Sequence, residues 1–122
     1  MNVTKTLVIG ASENPERYSN KAVKMLQDYQ HEVIALGKDK GKKINGLEIV
    51  NDVNNDESID TVTLYLNPKN QEPYYEKILA LHPRRVIFNP GTENPAFEQV
   101  LKEHNIEPIE ACTLVMLRTN QY

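Results

Sequence analysis

Tryptophan is absent from the 122 residues, and aromatic residues make up only 7% of them. So sparse an aromatic set argues against a platform that stacks nucleobases. Neither sign of charge dominates: 14 Lys and Arg stand against 17 Asp and Glu, for a formal net charge of −3. No global basic field therefore points to nucleic acid. A single cysteine, Cys112, excludes an internal disulfide and fits a reducing cytosol. No apolar run approaches the ~20 residues that a bilayer-spanning helix needs. The segment Met1-Asn2-Val3-Thr4-Lys5 also lacks the apolar stretch of a signal peptide. These absences leave the expectation of one small cytoplasmic domain over residues 1–122, long enough to bury a core unaided.

What is present alternates regularly. A short apolar run, Thr6 to Ile9, ends in Gly10 and a polar loop. Ala22, Val23, Leu26 and Tyr29 then recur at helical spacing, predicting a helix over Asn20–Tyr29 with Ser19 as its N-cap. Glu32–Leu36 carries the continuous apolar run of a strand covered on both faces, closed by Gly37. The basic loop Lys38-Asp39-Lys40-Gly41-Lys42-Lys43 leads to a short element around Leu47–Val50. Asn51–Asp60 is too rich in Asn and Asp for regular structure and reads as a loop or a frayed helix. Thr61–Leu66 predicts a strand that stops at Asn67-Pro68, and Gln71–Leu81 a helix. Arg85–Phe88 predicts a strand that stops at Asn89-Pro90-Gly91, followed by a helix capped by Asn94 with Pro95 in its first turn. A last strand covers Glu107–Ile109, and Cys112–Arg118 forms one more helix or an extended arm.

Strands alternating with helices imply an α/β, three-layer Rossmann-like fold with a mostly parallel sheet of roughly five or six strands. The expected strand order is 3-2-1-4-5-6 or a truncation of it, and ligands in such sheets bind beyond the carboxyl ends of the strands. Those ends supply the candidate binding residues: Gly10, Ala11 and Ser12; Lys38 and Lys40; Asn67 and Pro68; Asn89 and Gly91. The first turn gathers backbone N–H groups and a helix N-terminus at one point, where an anion is stabilised.

A dinucleotide fingerprint requires glycines at three positions of that turn and an acid at the end of the second strand. Here Gly10 occupies the first position, but Ser12 and Pro15 occupy the others, and Gly37-Lys38 ends the second strand. An ammonium at that place suits a phosphate better than a bare ribose diol. The chemistry therefore favours CoA, with its 3′-phosphate, or NADP, with its 2′-phosphate, over NAD.

Several segments taken together resemble a known family. Val8-Ile9-Gly10-Ala11-Ser12, Pro15, Arg17 and Tyr18-Ser19-Asn20 are followed by the strand Glu32-Val33-Ile34 and the turn Ile44-x-Gly46. Later come the segment from Asn89-Pro90-Gly91 to Asn94, then Cys112, and Arg118 beyond it. The chain is similar in these to the small stand-alone CoA-binding proteins, whose domain resembles the N-terminal part of the succinyl-CoA synthetase α subunit. The resemblance implies a Rossmann-like domain that binds coenzyme A, with the phosphates on the Gly10–Ser12 turn. It also implies that Arg17, Tyr18 and Ser19 lie near the nucleotide and that the loop after the second strand approaches the adenosine phosphate.

A catalytic search of the sequence finds no nucleophile elbow, no Walker lysine motif and no metal-binding helix motif. His31, His82 and His104 are scattered, and Cys112 reads as a buried small hydrophobe. A binding protein is expected rather than an enzyme, with CoA or an acyl-CoA as its small-molecule ligand and no nucleic-acid or membrane partner. Two alternatives stand beside it. One is an NADP-dependent reductase, whose Tyr-x-x-x-Lys spacing occurs at Tyr65 and Lys69 but runs through Pro68. The other is an interaction protein with a vestigial cleft, in which the apolar tail Leu114–Leu117 makes a dimer contact; besides the small ligand, the expected partners are a second copy in a homodimer or a partner enzyme.

Overall fold

The computed structural model describes residues 4–54 and 58–122. The signal-peptide reading of Met1-Asn2-Val3, and the part of the Asn51–Asp60 expectation that falls on residues 55–57, lie outside the described residues. In chain order the elements are β1 (Lys5–Ile9), α1 (Tyr18–Asp28), β2 (Glu32–Leu36), β3 (Lys43–Ile44), β4 (Leu47–Val50) and β5 (Ile59–Leu64). There follow α2 (Pro68–Gln71), a 3₁₀ turn (Glu72–Tyr74), α3 (Tyr75–Leu81), β6 (Arg85–Phe88), α4 (Pro95–Glu103), β7 (Glu107–Glu110) and α5 (Thr113–Arg118).

The sheet runs β3-β4-β2-β1-β5-β6-β7. All pairs are parallel except β3 with β4. Its six parallel strands follow the expected 3-2-1-4-5-6 order, and the short antiparallel β3 brings the described sheet to seven strands, one more than expected. The extra strand comes from a two-residue hairpin. Asn45 and Gly46 adopt φ of 48° and 84°, as a twisted tight turn requires, and Lys43 pairs with Glu48 across it. What reads as the end of a solvated basic loop is thus an edge strand.

Side-chain alternation along the strands builds two cores. Leu7, Ile9, Val62, Leu64, Val86 and Phe88 face one way, onto Ile78 and Leu81 of α3 and Phe97 and Leu101 of α4. Val8 and Ala35 face the other way, onto Val23 and Leu26 of α1 and Leu117 of α5. Helices therefore cover both faces of the sheet, as the apolar runs require.

Three local expectations are corrected. Helix α1 begins at Tyr18, so Ser19 is its second residue, buried, and the cap position falls to Arg17, which makes no side-chain capping bond. The helix expected over Gln71–Leu81 starts earlier, at Pro68, because the Asn67 side chain accepts from Asn70 N–H at 3.0 Å. It is then broken into a 3₁₀ turn at Pro73, whose ring removes a helix donor. The strand before that helix also begins earlier, since Ile59 and Asp60 already belong to β5, while its expected last residues, Tyr65 and Leu66, lie past the strand end. The tail is a helix, α5.

Candidate functional site

Strand order reverses between β1 and β5, and a cleft opens there beyond the carboxyl ends of the strands. Its volume of about 710 Å³ lies within the roughly 300–1,000 Å³ usual for small-molecule sites.

The floor is the turn after β1. Gly10 holds φ +95°, and a Cβ there would stand 3.1 Å from the Tyr65 carbonyl group and the Leu66 side chain. Only glycine combines that conformation with that approach. The Gly10 and Ala11 N–H groups both donate to the Leu36 carbonyl, each at 2.9 Å. Those two donors are committed to the sheet edge. The open donors lie further along, where the N–H groups of Tyr18, Ser19 and Asn20 in the first turn of α1 find no acceptor among the described residues. No acidic side chain occupies that turn, so the positive end of the helix is neither capped nor neutralised.

Ser12 ties the loop to the helix: its Oγ accepts from Asn14 N–H at 3.1 Å, and its carbonyl accepts from Asn20 Nδ2 at 3.0 Å. Arg17 and Tyr18 form an exposed lip, with the Lys21 ammonium 5.4 Å from the Tyr18 ring centre. Lys38 and Asp39 line the opposite side as exposed residues.

The far wall comes from two loops. After β5 it is lined by Tyr65, Leu66, Asn67, Asn70, Pro73 and Tyr74; after β6 by Pro90, Gly91 and Thr92. Tyr65 turns toward the α1–α5 layer, where its buried hydroxyl lies beside those of Thr63 and Thr113, which bond each other at 2.8 Å, and makes no well-formed hydrogen bond of its own among the described residues. Burial pushes its pKa up to about 12.

Of the candidate residues, the structure brings Gly10, Ala11, Ser12, Arg17, Tyr18, Ser19, Lys38, Asn67 and Gly91 together around the cleft. Lys40, Pro68 and Asn89 do not line it. Lys40 lies further along an exposed loop, and Pro68 is exposed at the first position of α2. Asn89 is buried and structural: Nδ2 donates to Thr63 Oγ1 at 2.6 Å and to the Leu64 carbonyl at 2.9 Å, while Oδ1 accepts from Thr113 N–H at 2.8 Å. Lining residues outside the candidate set include Gly37, which the reading puts on the rim without making it a binding residue, and Tyr65, Leu66 and Tyr74. Gly37 had a signal, since it directly follows a strand end; Tyr65 and Leu66 follow the end of β5 but were read as part of the strand, and Tyr74 depends on how Pro73 folds the chain back.

Other expectations meet geometry here as well. Tyr65 and Lys69 share no hydrogen bond, and Lys69 is exposed on α2, so the reductase spacing is not assembled. Leu114, Met116 and Leu117 are buried in the chain's own core, leaving Val115 as the exposed apolar residue of the tail, which removes the patch offered for a dimer. Among the described residues, no three His, Cys, Asp or Glu side chains form a group that would hold a metal ion. No described helix is long and apolar enough to cross a membrane.

The model of a family described as the CoA binding domain matches residues 4–118. The chain is similar over 100% of both lengths to a crystal structure of an uncharacterized protein, with 45% identity and a TM-score of 0.96. It also shares its fold with a cell-free protein, ID.343, from Thermus thermophilus, at 24% identity and a TM-score of 0.85 over 98% of this chain and 91% of that one. A hypothetical protein from Pyrococcus horikoshii OT3 has the same fold, at 22% identity and a TM-score of 0.86 over 97% of this chain and 84% of that one. Among curated proteins there is no match.

Proposed function

The chain belongs to the CoA binding domain family, and from that premise we propose that it binds coenzyme A or an acyl-CoA in the cleft beyond β1 and β5, as a carrier, sensor or partner module rather than a catalyst. The observation that carries this reading is the first turn of α1, which meets the cleft uncapped and without an acidic residue. A helix end of that kind stabilises a phosphate through N–H donors and its dipole. Because the Gly10 and Ala11 donors already serve Leu36, the diphosphate is assigned to Ser12 and the α1 terminus rather than to the glycine turn itself. Lys38 supplies an ammonium for the 3′-phosphate, and Arg17 and Tyr18 form the lip over the nucleotide. Leu66, Pro73, Tyr74 and Pro90 offer apolar surface to the uncharged length of the ligand.

Calorimetric titration of the whole chain with CoA, acetyl-CoA and NADPH tests the reading. Saturable binding of CoA or acetyl-CoA, with NADPH much weaker, is expected. Absence of binding by both CoA species, or a preference for NADPH, overturns it.

A further inference from the structure

We infer that Gln71, which does not line the cleft, is a positioning residue that locks the two loops of the far wall into one preformed unit. Gln71 is fully buried. Its Nε2 donates to the Leu66 carbonyl, on the loop after β5, and to the Thr92 carbonyl, on the loop after β6, both at 2.8 Å. Its Oε1 accepts from Asn94 Nδ2 at 2.9 Å. One carboxamide thus uses both donor hydrogens to join segments 26 residues apart, Leu66 and Thr92, and each of these residues lines the cleft.

The joint continues outward. Asn94 Nδ2 also donates to Tyr75 Oη at 2.7 Å, and Asn94 Oδ1 accepts from Phe97 N–H at 3.2 Å, capping α4. Tyr75 stacks on Phe97 with ring centres 4.0 Å apart. The side of Gln71 away from the cleft is therefore anchored to α3 and α4 as well as to the two loops. The β5 and β6 strands beneath are already paired, with Leu64 opposite Phe88, so the bridge has no part in forming the sheet. What it fixes is the separation of the loops above the sheet. A wall set in advance needs no ordering when a ligand arrives, which raises affinity by removing that cost.

The affinity part of this inference rests on the reading of the cleft as a CoA site; the loop-locking part stands without it. The test is Gln71→Met, which keeps length and apolar volume and removes every hydrogen bond. A second variant, Leu101→Val, trims a buried residue of α4 and matches general destabilisation without touching the bridge. Hydrogen exchange of the ligand-free protein is read at the Thr92 amide, bonded to the Asn89 carbonyl, and at the Asn70 amide, bonded to Asn67.

In Gln71→Met both amides are expected to exchange about tenfold faster or more while β1 and β5 stay protected, because the part-buried Leu66 carbonyl and the buried Thr92 carbonyl lose the side-chain donor that joins them. The Kd for CoA is expected to rise about tenfold, and Leu101→Val to lower the melting temperature with neither change. Unchanged exchange at Thr92 and Asn70 overturns the lock, and faster exchange with an unchanged Kd overturns its role in binding. Should Gln71→Met not fold, Gln71→Glu carries the expectation for at least one of the two amides, since a carboxyl buried among carbonyl oxygens stays protonated and its single O–H reaches only one of them. If the unaltered chain binds no CoA, the proposed function fails and the exchange result alone decides the lock.

Discussion

The Ala11 carbonyl oxygen lies so close beneath Gly37 that a Cβ built on Gly37 would stand 2.4 Å from it. The atom in the way is backbone, so it cannot rotate aside as a flexible side chain would. Gly37→Ala must therefore separate the end of β2 from the turn after β1. A loss of about 1–3 kcal/mol in urea denaturation is expected, the usual range for overpacking, together with weaker CoA binding. An unchanged midpoint would mean that the two segments are free to part.

Asn89 and Lys38 are expected to behave in opposite ways. Asn89→Asp keeps an acceptor for Thr113 N–H but loses both donors, to Thr63 Oγ1 and the Leu64 carbonyl. Its stability is expected to fall by about 1–3 kcal/mol with or without ligand, the cost of leaving buried polar groups unpaired.

Lys38→Ala alters an exposed side chain at the cleft, so stability is expected to stay within about 0.5 kcal/mol. The Kd for CoA is expected to rise about tenfold, while that for dephospho-CoA stays the same, because the ammonium answers only the 3′-phosphate. Equal losses for both ligands would place Lys38 elsewhere on the nucleotide.

Tyr65 predicts an alkaline limb to stability. Burial holds its folded pKa up at about 12, against an ordinary value of 10.0. The unfolded chain thus releases the proton first, so the contribution is complete below the ordinary value and is lost as pH rises toward the folded one. Tyr122, whose pKa burial also raises, acts in the same direction. Tyr65→Phe is expected to shallow this decline, measured by denaturation between about pH 8 and about pH 11. Because the hydroxyl makes no well-formed hydrogen bond among the described residues, its removal is expected to leave stability at neutral pH unchanged or raise it by about 1 kcal/mol.

Much of the fold was legible because the two spacings that define strands and helices were written plainly. Val33-Ile34-Ala35-Leu36, half-buried at its start, and the buried Val86-Ile87-Phe88 are apolar strand runs bounded by turn residues, and both strands lie where periodicity places them. Asn94 caps α4 as its position before Pro95 predicts. The errors arose where a local signal competed with a neighbour. The turn Ile44-x-Gly46 lies where it is read, but the four lysines of Lys38–Lys43 before it hid the two-residue strand β3 that pairs across it. Asn67 and Pro73 each resets the register of a helix that apolar spacing alone drew as continuous.

In the site, Gly10, Ala11, Ser12 and Lys38 were legible because chain order places them on the rim just past strands that end where expected, whereas Tyr65 and Leu66 were hidden inside a strand drawn too long. Asn89 sits at such an end too, yet its side chain turns inward to β5 and α5. Whether an asparagine faces a ligand or ties two strands together is decided by partners 24–26 residues away, and no local pattern records that. Gln71 was invisible for the same reason: its two acceptors lie on different loops.

Backbone amide mapping by NMR as CoA is titrated into the whole chain tests most directly whether the cleft holds the ligand. Saturable shifts concentrated at Ser12, Tyr18, Ser19, Lys38, Gly91 and Thr92 are expected. Silence at these amides under saturating CoA would contradict a ligand in the cleft. So would shifts gathered at the opposite end of the sheet, where Arg84 pairs with Asp60 and Arg85 donates to the Tyr122 carbonyl.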